Sequence, residues 1–246
     1  MSDPRVVAVI QARMGSTRLP GKVLEPIGDR PLVRWAIDAT RAVPGVDAIV
    51  LATTTDPIDD PLVIVVEASG VAAHRGPVLD VLTRTWEAVA PLEPEVVIRV
   101  TADNPFMDPD VIGAQLRRLL EGDLDYVGTA GWPLGIAAEV ARAGAVKLAF
   151  EKAREPAERE HVMPFLYTRP DRFRIGALTV DRPIPDGRFT VDTAEDLAFA
   201  RAIATRLEPG ERPTVGRLRG ILVAAPELRA INRDVRQKGW QEAEAR

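Results

Sequence analysis

Apolar residues in this chain fall into two rhythms that take turns. Residues 5–11, 47–52, 71–74, 95–100 and 126–129 are short apolar runs, mostly β-branched, each bounded by glycine or small polar residues, which is the pattern of buried strands. Between them, 31–43, 62–69, 78–89 and 109–120 carry apolar positions at helical spacing. Pro31 and Pro109 suit a first helical turn, where a missing N–H costs little, and Pro44-Gly45, Gly70 and Gly122 stop the helices they follow. Strands alternating with helices at this spacing predict right-handed crossovers and a mostly parallel sheet, an α/β fold. Residues 23–27 read as a short extended piece after the first loop.

The second half is less regular. Residues 136–140 and 188–191 read as extended, 173–180 as a strand, and 143–152 and 158–167 as helices. A helix is predicted over 193–206, with Thr193 as cap and Asp196 at the capping-box position. The tail, 214–238, predicts one or two more helices. No repeat, low-complexity run or proline-rich linker divides the chain, so a single domain with an elaborated second half is expected.

Its 246 residues suffice for one large α/β core. A net charge of −4 argues against a general nucleic-acid binder, so any phosphate site must be a local basic patch on an acidic body. The absence of cysteine excludes disulfides, thiolate catalysis and Cys-based zinc sites. No apolar run is long enough to span a bilayer, and the first residues lack a basic segment followed by an apolar one. A cytoplasmic location without membrane partners is expected.

One stretch concentrates the chemistry. Residues 9–24, VIQARMGSTRLPGKVL, carry Arg13, Arg18 and Lys22 among Gly15 and Gly21. Apolar runs entering glycine-rich basic loops present backbone N–H groups to phosphates, and arginine forks suit phosphate oxygens. The same composition also suits a solvated basic turn, and the residues alone leave both readings open. In open α/β sheets ligands gather beyond the carboxyl ends of strands. Two further polar clusters, 52–56 and 101–105, fall there. Asp103, just past a buried run, is placed either to hold a divalent ion together with phosphate and water or to cap a turn before Pro105.

The loop closely resembles the signature of the cytidylyltransferases of the spore-coat-polysaccharide type. These are relatives of the CMP-sugar synthetases that activate 3-deoxy-manno-octulosonate and sialic acids. The family pattern IxARxxSxRLPGK is matched at Ile10, Ala12, Arg13, Ser16, Arg18, Leu19, Pro20, Gly21 and Lys22. The pattern R-[IV]-T-x-D-x-P-x-[IL]-D-P is matched at Arg99, Val100, Thr101, Asp103, Pro105, Asp108 and Pro109, with Asn104 where the family often has Cys. V-D-T-x-E-D-L is matched at Val191, Asp192, Thr193, Glu195, Asp196 and Leu197, and E-R-E-H-V at Glu158, Arg159, Glu160, His161 and Val162. The pattern G-x-D-x-E keeps Gly135 and Glu139 but has Ala137 where Asp is expected. The tail PELRAINRDVRQK also resembles the family's end, so the likeness covers nearly the whole chain.

The resemblance implies a nucleotide-diphospho-sugar transferase fold, GT-A-like and Rossmann-like. Residues 1–130 would form the nucleotide-binding half, and 131–246 the acceptor-binding and dimerisation half of a homodimer. It implies CTP binding by Gln11, Ala12, Arg13, Gly15, Ser16, Arg18 and Lys22, with Ala52, Thr53, Asp56, Arg75, Gly76 and Thr101 about the base. Mg2+ would sit on Asp103 and Asp192, Arg13, Lys22 and Asp103 would be catalytic, and Glu139, Glu160 and His161 would meet the acceptor. Glu195 and Asp196 fall in a first helical turn, where negative charge is favoured without any ligand. The implied reaction is CTP + acceptor → CMP-acceptor + pyrophosphate, the acceptor being an acidic sugar or a related small hydroxylated or phosphonate molecule. Ala137 leaves the CTP side whole and alters the acceptor side.

Two other classes compete. A nucleotide-sugar-dependent glycosyltransferase binds a diphosphate and needs fewer cations than this loop holds. A non-catalytic nucleotide-binding homologue would not need both Asp103 and Asp192. Asp123-Leu124-Asp125 has the D-x-D spacing of metal-dependent glycosyltransferases but follows a helix stop, so it reads as surface.

Overall fold

The computed structural model describes residues 5–180, 187–237 and 239. In chain order its elements are β1 (Val6–Gln11), β2 (Pro26–Ile27), β3 (Arg30–Pro31), α1 (Leu32–Arg41), β4 (Ala48–Thr54), α2 (Asp60–Glu67), β5 (Ala72–Gly76), α3 (Val81–Val89), β6 (Val96–Thr101) and α4 (Pro109–Glu121). There follow β7 (Tyr126–Ala130), β8 (Glu139–Arg142), α5 (Ala143–Lys152), α6 (Pro156–His161), α7 (Pro164–Tyr167), β9 (Ile175–Thr179), α8 (Ala194–Ala204) and α9 (Val215–Ala224). Seven strands form one sheet in the order β5-β4-β1-β6-β8-β7-β9. The mostly parallel expectation holds: β8 alone of the seven runs against its neighbours, pairing antiparallel with both β6 and β7.

Every residue of β1 is buried, as a central strand covered on both faces requires. Its alternate side chains feed two cores. Val6, Ala8 and Ile10 meet Val33 and Ile37 of α1, Leu62 of α2 and Ile112 of α4. Val7 and Val9 meet Leu82 of α3, Val146 of α5 and Phe165 of α7. A third cluster joins Trp35, Phe106 and Phe189 to Phe199 and Ile203 of α8 and Leu218 of α9, fastening the C-terminal helices to the sheet's end. Among the described residues no helix is long and apolar enough to cross a membrane.

The strand order places the site. From β1 the chain steps outward to β4 and β5, then returns to β6 on the other side of β1. Two neighbouring strands whose connections leave in opposite directions open a crevice at their carboxyl ends, here beyond Gln11 and Thr101.

Several expected elements are corrected. Residues 22–24 form a 3-10 turn before the two residues of β2, so 23–27 is only half extended. The helix expected over 158–167 is broken into α6 and α7. Val162 between them has φ 72 and ψ −62, and Met163 N–H donates to the His161 carbonyl at 2.9 Å, which makes a γ-turn. The extended piece expected at 136–140 becomes β8 two to three residues later, because the Ile136 and Ala138 carbonyls are taken by Asp108 N–H (2.8 Å) and Gln115 Nε2 (2.9 Å). β9 is shorter than expected at both ends, and Phe173 is buried against Phe165 instead (6.0 Å between centroids). The tail gives α9 and a 3-10 turn over Pro226–Ala230, and Lys238, its expected end, lies outside the described residues.

Candidate active site

The basic loop is folded on itself and pinned from beneath. The Met14 carbonyl accepts Ser16 N–H (2.9 Å) and Gly21 N–H (2.8 Å). Met14 N–H donates to Asp59 Oδ1 at 2.6 Å. Asp59 is fully buried, and its other oxygen accepts Thr53 Oγ1 (2.9 Å), Thr54 N–H (3.1 Å) and the Thr54 hydroxyl. One carboxylate thus ties the loop to the end of β4. Gly21 sits at φ 74, a left-handed turn that suits glycine, and it reverses the chain so that Lys22 points inward.

Lys22 reaches the centre of the crevice. Its ammonium donates to Asp103 Oδ2 (3.1 Å), Asp192 Oδ1 (2.8 Å) and the Val191 carbonyl (2.7 Å). Asp103 stands just past β6. Asp192 arrives from the far end of the sequence, on a segment laid against Asp103: Val191 N–H donates to the Asp103 carbonyl at 2.8 Å. That approach requires Gly135, where a Cβ would meet the Phe189 carbonyl carbon at 2.7 Å. Asp192 also pairs with Arg18 (3.1 Å) and, through its second oxygen, with Arg188 (2.8 Å). Arg188 in turn grips Asp196, whose carboxylate completes the predicted capping box with Thr193 and accepts Asn232 Nδ2 at 3.0 Å.

The charges shift one another. Burial alone would push Asp192 up and Lys22 down. Lys22, Arg18 and Arg188 instead hold the Asp192 carboxyl below its usual range, and Asp103 and Asp192 hold the Lys22 ammonium above its own.

Around this cluster lies a crevice of about 260 Å3. Its loop side is lined by Gln11, Ala12, Arg13, Ser16 and Arg18, and its floor by Thr101, Asp103 and Asp192. Glu160 and His161 face it from α6, beside the buried Arg84 of α3. Arg159 locks α6 in place through Asp80 (2.6 Å) and the Phe150 and Ala153 carbonyls (3.2 and 3.1 Å). Arg99 borders both this crevice and a second cavity of about 400 Å3, which Asn104, Trp132, Ala137 and Glu139 also line. A polar chain crosses the floor between the two. Gln11 donates to Thr85 (2.5 Å) and accepts from Arg99 Nε (2.9 Å); Arg99 pairs with Glu139, which accepts the Tyr126 hydroxyl at 2.8 Å. Burial, with Glu139's charge behind it, pushes the Tyr126 and Tyr167 hydroxyls up, so both stay protonated.

The structure therefore brings Gln11, Ala12, Arg13, Ser16, Arg18, Lys22, Thr101, Asp103, Glu160, His161 and Asp192 to one crevice, with Glu139 in the cavity beside it. It does not bring Asp56 and Arg75 there. Asp56 is exposed and caps the turn Pro57–Asp59 by accepting Ile58 N–H at 3.1 Å. Arg75 is spent on Asp60 (2.6 Å) and the Thr54 and Asp56 carbonyls (2.8 Å each). Ala52 and Thr53 are fully buried, and Gly76 lies under Arg84, whose Cβ is 3.1 Å from where a glycine Cβ would stand. Asp123 and Asp125 pair with Arg174 at the surface, as their position after a helix stop predicted. The sequence does not announce Asp59 or Arg188; Asp59's only signal is that it is the second of three acids in TTTDPIDD, and Arg188 has none nearby.

A family model described as cytidylyltransferase matches residues 7–209. The chain is 34% identical over 217 residues to the spore coat polysaccharide biosynthesis protein SpsF of Bacillus subtilis, covering 85% of this chain and 90% of that one. It is 32% identical over 242 residues to an uncharacterized protein of Methanocaldococcus jannaschii, covering 98% and 99%. A solved cytidylyltransferase structure from Leptospira borgpetersenii superposes with a TM-score of 0.86 at 24% identity over 96% of this chain and all of that one.

Proposed function

This chain belongs to the cytidylyltransferase family, a family of nucleotidyltransferases, and from that premise we propose that it transfers CMP from CTP to a small hydroxylated acceptor. The observation that carries the proposal is the meeting of the basic loop with Asp103 and Asp192 across the mouths of β1 and β6. A nucleoside triphosphate brings about four negative charges, and the loop offers Arg13 and Arg18 at the crevice rim to receive them.

The acceptor hydroxyl oxygen forms a bond to the α-phosphorus as its proton passes to solvent, the bond to the bridging oxygen breaks, and pyrophosphate leaves with that electron pair. Arg13 and Arg18 hold the β and γ phosphates and neutralise the departing charge. Positioning and charge compensation supply most of such a rate. Magnesium fits the donor set, because two carboxylate oxygens and a carbonyl already converge on one cationic point; Asp103 and Asp192 would hold it, with phosphate and water completing its shell. A divalent ion held by these two carboxylates would supply Lewis-acid charge to the reaction.

The acceptor lies toward the 400 Å3 cavity, whose Arg99, Asn104, Trp132 and Glu139 offer both charge and hydrogen bonds. An acidic sugar of a polysaccharide pathway suits that lining, and a phosphonate is the second candidate. The test is pyrophosphate release with each of the four nucleoside triphosphates and Mg2+ against a panel of acidic sugars, phosphosugars and phosphonates. Release with CTP and one acceptor class is expected, and Asp103→Asn should abolish it. Turnover that prefers another triphosphate, or wild-type activity in the Asp103 variant, contradicts the proposal.

A further inference from the structure

The three oxygens around Lys22 Nζ form a cation site already filled by the protein itself. Asp103 Oδ2, Asp192 Oδ1 and the Val191 carbonyl lie 3.1, 2.8 and 2.7 Å from one ammonium, which is buried. A divalent ion on both carboxylates would need that space and would face the lysine's charge as well. Arg18 and Arg188, also on Asp192, add to the repulsion. The lysine sits on the turn that closes the phosphate loop, so a triphosphate on that loop offers its ammonium an alternative anion.

We propose that Lys22 is an internal stand-in for the divalent ion: it plugs the carboxylate pair in the nucleotide-free protein and leaves for the triphosphate when nucleotide and metal enter together. The plug keeps the buried Asp192 carboxylate and the half-buried Asp103 neutralised when no metal is bound, since an unpaired buried charge is strongly destabilising. It also makes the two ligands cooperative, because each removes an obstacle to the other. Metal alone binds poorly. Metal with nucleotide binds well, and Lys22 then stands beside the phosphate it helps to release. This rests on the reading of the crevice as a nucleotide site, although the plug itself can be tested without nucleotide.

The test is Mn2+ titration by calorimetry and by loss of the free-ion electron paramagnetic resonance signal, in the absence of nucleotide. Wild type is compared with Lys22→Met and Lys22→Gln. Both variants should bind one Mn2+ about tenfold or more tightly than wild type, by removal of a competing charge. Their melting temperatures should be lowered in chelator and raised by Mn2+ more than that of wild type. Equal Mn2+ affinity in all three proteins overturns the plug. Should neither variant fold, wild type decides: labelling of Lys22 by an amine-reactive ester, mapped by mass spectrometry, should rise in step with Mn2+ occupancy. Labelling that stays constant as Mn2+ fills the site overturns the plug as well. CTP titration is run in parallel, so that failure of nucleotide to bind is seen separately from failure of Lys22 to compete with metal.

Discussion

At the scale of single residues, Asp59 governs more of the site than its position in the chain suggests. It touches no part of the crevice lining, yet its carboxylate holds the Met14 amide on one side and Thr53 and Thr54 on the other. Asp59→Ala leaves those buried donors unpaired, at a cost of about 2–4 kcal/mol. Urea melts should show that loss, and the KM for CTP should rise more than kcat falls, because the loop loses its tether while its cations remain. Stability lost with an unchanged KM would make Asp59 purely structural. The catalytic candidates were legible in the sequence because each stands in a local motif: Arg13, Arg18 and Lys22 in one loop, Asp103 just past one strand, Asp192 before one capping box. Lys22's partners were not legible. Its contacts join positions 22, 103 and 192, and no local pattern reports a contact made at that separation.

At the scale of elements, strands and helices of the first half follow their apolar rhythm closely, because burial on both faces of a central sheet enforces it. The departures are local hydrogen-bond decisions. Pro164 and the γ-turn at Val162 interrupt what periodicity reads as one helix, leaving His161 at the end of α6 rather than inside a longer helix. Left-handed φ at a buried β-branched residue is strained, and such strain collects where a side chain must be aimed. Arg159 supplies the counter-hold through Asp80. Arg159→Ala should therefore raise the acceptor KM several-fold with little change in the KM for CTP, in keeping with the cost of loosening a positioned group. Steady-state kinetics with each substrate varied in turn checks this, and a matching rise for CTP would place α6 over the nucleotide. Thr193→Ala removes the cap of α8 and should cost about 1 kcal/mol by urea melts.

At the scale of the whole molecule, the N-terminal sheet and the C-terminal segment are joined by charge as well as by the aromatic cluster of Phe106, Phe189 and Phe199. Lys22 and Arg18 of the basic loop meet Asp192, which in the Lys22–Asp192 pair lies 170 residues further along the chain, and Arg188 ties Asp192 to Asp196. Two shifted groups of the site contribute to the pH dependence of stability. Asp192 is held down, so its contribution is full above about pH 4 and fades as pH falls through its lowered value. Lys22 is held up, so its contribution is full below about pH 10 and fades as pH rises through its raised value. Thermal melts across pH should show a plateau between those limits, and Asp192→Asn should flatten the acid limb. An acid limb of wild-type steepness in that variant would assign the loss to other carboxylates.

Titration calorimetry of CTP with Mg2+ into wild type and Arg18→Ala tests the central claim most directly. The account predicts one CTP per chain, a clear preference for CTP over ATP, GTP and UTP, and an affinity about tenfold or more weaker in the variant, the usual scale for a lost charge-assisted contact. Heat from none of the four triphosphates, or equal CTP affinity in the two proteins, would mean that the crevice beyond β1 and β6 is not where this chain holds its nucleotide.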